Sequence, residues 1–144
     1  MDILNKILFL CTGNSCRSQI AEGIAHSIFD DSYQIESAGT EKHGVNPNAI
    51  KTLKKIGIDI SSYKSKIIDL SDLNKFDLII TLCGDAKDKC PILDKSVKHI
   101  HWGLQDPAKF KGSDVEIMSN FGKTRDLILE HMKELKLNLE KGVL

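Results

Sequence analysis

The sequence has little of what marks several large classes of protein. It carries only four cysteines among 144 residues, and its twenty basic residues are balanced by twenty acidic ones that form no long block. A chain without a charge excess lacks the electrostatic signature of a nucleic-acid or membrane-surface protein. The apolar run after Lys6 is too short for a signal peptide or a membrane span. We therefore expect a cytoplasmic monomer with a single domain over residues 1–144.

Cysteine is scarce, but its four copies are grouped in two pairs. In a reducing compartment such cysteines are more often catalytic, redox-active or metal-binding than structural disulfides. Four residues separate Cys11 from Cys16, and six separate Cys83 from Cys90. Neither gap matches the close spacing of zinc knuckles, so we expect no metal site.

Short apolar segments rich in β-forming residues alternate with helical patterns along the chain. This alternation favours right-handed crossovers and a parallel sheet covered by helices. We predict an α/β domain, a three-layer sandwich in which a four-stranded parallel sheet carries helices on both faces. The predicted strands are Lys6–Cys11, Tyr33–Gly39, Asp77–Cys83 and Lys98–Leu104.

Helices are predicted between these strands and after the last one. Isoleucines at positions 20, 24 and 28 form the apolar face of the first helix. The second begins at Asn46-Pro47 and ends at Gly57, because Asn is a good N-cap, Pro fits the first turn and Gly stops a helix. A short helix over Ser71–Phe76 and a long amphipathic one over residues 114–139 complete the prediction.

The segment CTGNSCRS, from Cys11 to Ser18, lies between the first strand and the first helix. Gly and Asn tolerate left-handed backbone geometry, so a loop here can turn several N–H groups toward one point beside a helix N-terminus. This predicts a cradle for a tetrahedral oxyanion. A Walker-type nucleotide-binding loop is disfavoured, because the segment lacks the Gly-Lys-Ser/Thr ending of such loops. Arg17 can add a planar two-pronged donor. The predicted oxyanion-binding residues are Thr12, Gly13, Asn14, Ser15, Cys16 and Arg17.

Cys11 is the predicted nucleophile of this loop. The positive field of the cradle would stabilise its thiolate, and Ser18 can donate a hydrogen bond to the sulfur. Cys16 fits two interpretations equally well: a small apolar residue packed under the loop, or a redox group. We therefore assign it no necessary step in catalysis. Asp106 follows the fourth strand and is the candidate general acid, because the carboxyl ends of parallel strands share one rim.

Cys83 and Cys90 form the second pair. Cys83 ends a predicted strand on the same rim as Cys11, and the segment up to Cys90 is mostly charged. If that segment is helical, the two Cα atoms lie ~10 Å apart, too far for a disulfide, so joining them requires local unwinding. The alternative is that both are structural thiols, which explains Cys83 but not a cysteine in a charged stretch.

Together, the segments CTGNSCRSQIAEG, ESAG, HGVNP, TLCGDAKDKCPI and HWGLQDP resemble the thioredoxin-coupled arsenate reductases built on the low-molecular-weight protein tyrosine phosphatase fold. The resemblance spans nearly the whole chain. The first motif and the Asp-Pro pair are shared with the phosphatases, whereas Cys83, Cys90 and the proline after them are specific to the reductases. Ala108 stands where the phosphatases usually carry an aromatic residue, and Gln19 replaces their usual proline.

The resemblance implies a relay of three cysteines without a bound cofactor. Cys11 attacks arsenate while Asp106 protonates the departing hydroxide, and Cys83 then attacks Cys11 and releases arsenite. Cys90 next attacks Cys83, and reduced thioredoxin is the implied electron donor for the resulting disulfide. Phosphate and sulfate are expected to compete with arsenate, and glutaredoxin as the donor stays open.

Some members of that family hold a potassium ion beside the loop, and this chain departs from their pattern. Asn14, Glu22 and Ser37 match three of the ligands, but Lys64 and Lys66 stand at the later positions. Our hypothesis is that one of these ammonium groups takes the place of the ion and fixes Asn14 and Glu22 electrostatically. The alternative is that both lysines are solvated.

Two other function classes stay open from the sequence. A low-molecular-weight phosphatase would hydrolyse phosphate monoesters through a phosphocysteine, using Cys11 and Asp106 but not Cys90. A non-enzymatic anion-binding or thiol-sensing module would oxidise its cysteines without turnover. We expect an arsenate reductase, because only a reductase must pass two electrons onward.

Overall fold

A computed structural model describes residues 4–84, 86 and 93–144. Its four strands are β1 (Lys6–Cys11), β2 (Gln34–Gly39), β3 (Leu78–Thr81) and β4 (Lys98–His101). All neighbouring strands pair in parallel, in the order β2-β1-β3-β4. This sheet, with the helices packed against it, confirms the predicted α/β fold.

The central strand β1 is buried on both of its faces. Its side chains from Ile7 to Leu10 are fully buried, and Cys11 at its end is 3 % exposed. Successive side chains of a strand point to opposite faces, so burial of the whole run means that both faces of the sheet are covered. The uninterrupted apolar sequence of β1 is typical of such a strand.

In the described part of the chain, three longer α-helices accompany the sheet, and their caps follow from the sequence. They are α1 (Arg17–Ile28), α2 (Pro47–Lys54) and α3 (Asp114–Lys141). The Asn46 side chain accepts a hydrogen bond from the second residue of α2, and Ser113 and Glu116 form a capping box at the start of α3. Helices α1 and α3 pack against each other.

The short predicted helix over Ser71–Phe76 is a 3-10 helix, Leu70–Lys75. Its start is set by Asp69, whose carboxylate accepts from the backbone N–H of Ser71 at 3.0 Å. A cap of this kind starts either helix type, and the segment is too short for the sequence to distinguish them.

Strands β3 and β4 end earlier than predicted, at Thr81 and His101. The ladder continues for one more bond in each case, because Leu82 N–H donates to Leu10 O at 3.0 Å and Trp102 N–H donates to Thr81 O at 2.9 Å. Beyond these bonds the chain leaves the sheet. Cys83 is therefore free to lie beside the loop that follows β1.

The core contains most of the apolar side chains that the sequence patterns predict to be buried. Phe9, Ile24, Ile79, Phe121 and Ile128 are all fully buried within it. No helix in the described part of the chain has both the length and the apolar character needed to cross a membrane.

Candidate active site

The loop after β1 turns its carbonyl groups outward. Segment 41–46, which follows β2, runs beside the loop and supplies backbone N–H donors to three of its carbonyls. Because these carbonyls are bound by segment 41–46, the loop is compatible with an oxyanion cradle formed by its N–H groups. The bonds are Glu41 to Thr12 at 2.8 Å, His43 to Gly13 at 3.0 Å and Asn46 to Ser15 at 3.0 Å.

Asn14 provides the one left-handed backbone position of a non-glycine residue in the described chain, with φ 48°. The sequence led us to expect this geometry from glycine and asparagine together, but Gly13 does not have a positive φ. Gly39 matters through space instead: a Cβ there would lie 2.5 Å from Thr12 O, so the bare backbone lets β2 approach the loop.

A chain of hydrogen bonds leads to the Cys11 sulfur. The backbone N–H of Lys66 donates to Asn14 Oδ1 at 2.9 Å, which orients the amide so that Nδ2 donates to Ser18 Oγ at 2.8 Å. Because the Ser18 oxygen already accepts from Asn14, its proton is available to Cys11 Sγ, 2.8 Å away. A donor to the sulfur favours the thiolate, so this arrangement suits a nucleophile.

Arg17 is held at the cavity by backbone carbonyls of the two segments that follow β3 and β4. Its Nη1 donates to Leu104 O at 2.7 Å and to Leu82 O at 3.4 Å, and its side chain is 12 % exposed. Its Nη2 lies 3.7 Å from Asp106 Oδ2. The guanidinium is thus fixed beside the loop, where it can bind an oxyanion.

Asp106 caps a short 3-10 helix, Pro107–Lys109. Its Oδ1 accepts from the Ala108 N–H at 3.0 Å, while its Oδ2 is directed toward Arg17. The cap fixes the side chain, and its second oxygen stays beside the cavity. A carboxyl group so placed can deliver a proton to a leaving oxygen.

Cys83 lies against the loop. Its sulfur is 3.2 Å from Thr12 Oγ1, accepts from the Ala86 N–H at 3.3 Å, and is 7 % exposed as a residue. It lines the same cavity as Cys11. Cys90, its predicted partner, lies outside the described residues.

Cys16 differs from these two thiols. Burial raises its pKa to about 12, and the Asp106 carboxylate acts in the same direction. A thiol with so high a pKa stays protonated at neutral pH, so Cys16 is not a nucleophile there.

The proposed cation region is organised by Gln19 rather than by a lysine ammonium. Gln19 Nε2 lies 3.0 Å from Asn14 Oδ1 and 3.3 Å from the Lys64 carbonyl. The Lys66 ammonium pairs with Glu36. Lys66 meets Asn14 through its backbone and not through its charge. The hypothesis that the Lys64 ammonium takes the place of the ion beside Asn14 and Glu22 stays a prediction.

The Asn14 oxygens also do not fit a bound potassium ion. Its Oδ1 faces two N–H donors, and its carbonyl accepts from Ser65 Oγ at 2.6 Å and from Gln19 Nε2 at 3.2 Å. Donor hydrogens at both oxygens have the wrong polarity for a cation. Glu22 and Ser37 bond to each other instead, at 2.6 Å.

The loop, Arg17, Cys83 and Asp106 surround one cavity of about 800 Å³. The further residues that line it include His43 and Phe110, which sequence reasoning did not place at the site. Phe110 could have been found from the sequence, because it is an aromatic residue close after the Asp106-Pro107 pair. No group of three or more His, Cys, Asp or Glu residues in the described ranges is arranged to hold a metal ion.

Comparison with known families bears on this geometry. Residues 6–143 match the family of low molecular weight phosphotyrosine protein phosphatases. The protein belongs to that family. Within the family, the chain is 53 % identical to the arsenate reductase of Bacillus subtilis strain 168 over 131 residues, which cover 90 % of this chain and 94 % of the relative. Arsenate reductase 2 of Staphylococcus haemolyticus is 48 % identical over 130 residues, covering 90 % and 95 % of the two chains.

Solved structures of low molecular weight phosphatase-like proteins agree with the fold. An arsenate reductase in the phosphate binding state has a TM-score of 0.74 and 31 % identity, covering 93 % of this chain and 98 % of that one. An arsenate reductase in the oxidized state has a TM-score of 0.76 and 27 % identity, covering 94 % and 98 %.

Proposed function

We propose that this protein is an arsenate reductase that uses three cysteines in sequence and is regenerated by thioredoxin. The observation that carries the proposal is the position of Cys83, whose sulfur contacts the loop residue Thr12 at 3.2 Å and shares a cavity with Cys11. A hydrolase finishes its cycle with water and needs no second thiol there. The relatives that are arsenate reductases support the same assignment.

The first step is substitution at arsenic. The Cys11 thiolate, stabilised by Ser18, attacks arsenate bound to the loop N–H groups and Arg17. A sulfur–arsenic bond forms, an arsenic–oxygen bond breaks, and Asp106 gives the proton with which the departing hydroxide leaves as water. Arg17, held by the carbonyls of Leu82 and Leu104, balances the charge of the oxyanion.

The second step transfers two electrons to arsenic. The Cys83 thiolate attacks Cys11 Sγ, the sulfur–arsenic bond breaks, and its electron pair stays on arsenic, which goes from +5 to +3 and leaves as arsenite. The Cys83 sulfur accepts a hydrogen bond from the Ala86 N–H and lies 3.2 Å from the Thr12 hydroxyl, which can also donate to it. The product is a Cys11–Cys83 disulfide.

The third step restores the nucleophile. Cys90 attacks Cys83, the Cys11 thiolate leaves, and a Cys83–Cys90 disulfide forms, which the thioredoxin dithiol reduces by exchange. The cycle needs no bound cofactor, because every electron passes through a sulfur atom.

The proposal is tested by NADPH consumption in a mixture with thioredoxin and thioredoxin reductase, started by arsenate. We expect steady turnover by the wild type and none by Cys83→Ser. Cys90→Ser should stop after one turnover as the Cys11–Cys83 disulfide, visible in a peptide map. The matched control is Cys16→Ser, which should sustain turnover.

Two results would contradict the proposal. If arsenate caused no NADPH consumption and the protein rapidly hydrolysed an aryl phosphate, the protein would be a phosphatase. Multiple turnovers by Cys90→Ser would exclude the third cysteine from the relay. Replacing the thioredoxin system by glutathione and glutaredoxin tests the donor separately.

A further inference from the structure

A histidine that the proposed mechanism does not use lies directly on the oxyanion loop. His43 lines the cavity, and its ring fills the space beside Gly13 where another residue would carry a side chain. A Cβ on Gly13 would lie 2.3 Å from His43 Nδ1 and 2.7 Å from its Cγ. Atoms do not approach so closely without a shift, so a side chain at position 13 would require the His43 ring to move away.

The need for glycine at position 13 therefore comes from space rather than from backbone conformation. Asn14 adopts the left-handed conformation in this loop, and Gly13 does not. A glycine without strain still has more conformational freedom than any other residue. Something outside the loop must restrict it if the N–H groups are to converge on one point.

His43 is suited to that restriction because it is anchored twice. Its backbone N–H donates to Gly13 O at 3.0 Å, and its ring Nε2 lies 2.9 Å from Glu41 Oε2. Glu41 is itself bound to the loop through its N–H, which donates to Thr12 O at 2.8 Å. The same short segment thus binds the Gly13 carbonyl and covers its Cα.

We propose that His43 is a positioning residue of the oxyanion site: its ring packs on Gly13 and keeps the loop in the conformation that binds the anion. Without the ring, Gly13 samples more conformations, and the anion must order the loop as it binds. The affinity for the anion therefore falls. The chemical step is preserved, because the nucleophile and the acid are unchanged. The inference rests on the proposed function for its substrate, but the affinity of the loop is measurable with inorganic phosphate and without turnover.

The first experiment compares His43→Ala with the wild type. We expect the Kd for inorganic phosphate and the KM for arsenate to rise by a similar factor, roughly tenfold, while kcat changes by less than about twofold. Phosphate affinity is read from the protection it gives Cys11 against iodoacetamide. The matched control is His131→Ala, which removes a histidine that stacks on Trp102 instead of the loop, and it should bind phosphate like the wild type.

The outcomes separate the two proposals. An unchanged phosphate Kd in His43→Ala overturns the role of His43, whether or not arsenate is reduced. Weakened phosphate binding in a protein without arsenate turnover supports the role of His43 and overturns the proposed function. A kcat that falls while KM stays constant also contradicts a positioning role.

The second experiment is a double-mutant cycle with Gly13→Ala. Its methyl group must displace the His43 ring, so the phosphate Kd should rise as in His43→Ala, and the double variant should bind no more weakly than Gly13→Ala alone. Effects that multiply would show that the two residues act independently and would overturn the proposal. Thermal melts establish that each variant is folded. If Gly13→Ala does not fold, the phosphate Kd of His43→Ala alone decides whether His43 positions the loop.

Discussion

At the scale of single residues, three buried thiols around one loop have different surroundings. The Cys11 sulfur lies 2.8 Å from the Ser18 hydroxyl, which can donate to it, and Cys83 lies against the Thr12 hydroxyl and the Ala86 N–H. Cys16 is buried beside the loop and feels the Asp106 carboxylate. Hydrogen-bond donors favour a thiolate, whereas burial and negative charge oppose one. The surroundings therefore distinguish Cys11 and Cys83, the two thiols proposed to react, from Cys16.

Cys16 gives the residue-scale prediction. Its pKa, raised to about 12 by burial and then by Asp106, keeps it a neutral thiol at neutral and mildly alkaline pH. Since the thiolate is the reactive form, iodoacetamide at about pH 8 should label Cys11 at least roughly tenfold faster than Cys16. Labelling rates from peptide mass spectrometry check this. Equal rates would mean that Cys16 ionises in the folded protein.

At the scale of elements, short segments place the chemistry. Segment 41–46 binds the outward carbonyls of the loop, and the 3-10 helix Pro107–Lys109 presents Asp106. Neither segment belongs to the sheet, yet each is attached close to a strand end. Their backbone hydrogen bonds set the direction of a few side chains and N–H groups, which is what catalysis by positioned groups requires.

Asp106 gives the element-scale prediction. In Asp106→Asn the amide oxygen can still accept from Ala108 N–H, so the 3-10 helix keeps its cap, but the proton donor is lost. We expect kcat for arsenate to fall by roughly 10²- to 10⁴-fold with little change in Tm.

Asp106→Ala is the matched comparison for this prediction. It removes the cap as well as the proton donor and should also destabilise the protein, by about 1 kcal/mol. Full turnover by Asp106→Asn would exclude Asp106 as the acid.

At the scale of the whole molecule, the site is assembled from distant parts of the chain. Strands β1 and β3 are neighbours, with Leu10 paired to Thr81, and this pairing brings the loop after β1 and the residues after β3 to one edge. Cys11, Cys83 and Asp106 meet only because the parallel sheet is formed. The core that holds the sheet is thus a condition for the site.

The core gives the whole-molecule prediction. Ile128 in α3 is fully buried, whereas its neighbour Leu127 is 47 % exposed. Ile128→Ala leaves a cavity and should lower the free energy of unfolding by roughly 2–5 kcal/mol, while Leu127→Ala should cost less than about 1 kcal/mol. Urea unfolding measures both. Equal costs would mean that α3 does not pack on the core through the Ile128 side.

Much of the fold and part of the site followed from local signals. The apolar run of β1 is followed directly by a Gly- and Asn-containing loop and then, at Arg17, by a helix, so this stretch of sequence predicts strand, loop and helix together. The ends of β3 and β4 were less predictable, because a strand ends where its partners end, and partners are distant in sequence. The sequence predicts a helix near Leu70–Lys75 but not that it is a 3-10 helix, because so short a segment shows no periodicity that distinguishes the two helix types.

By itself, the sequence determined the α/β alternation and the loop after the first strand, and it identified Cys11, Arg17 and Asp106 as candidates, because each of these depends on residues close together in the chain. Only the tertiary structure decided that Gln19 and the Lys66 backbone, rather than an ammonium group, meet Asn14, and that the His43 ring rests on Gly13. These contacts join segments that are distant in the sequence, and sequence patterns predict each segment but not the contacts between them. Which atoms meet across a packed interior depends on how the whole sheet and its connections close, and a short stretch of sequence does not specify that.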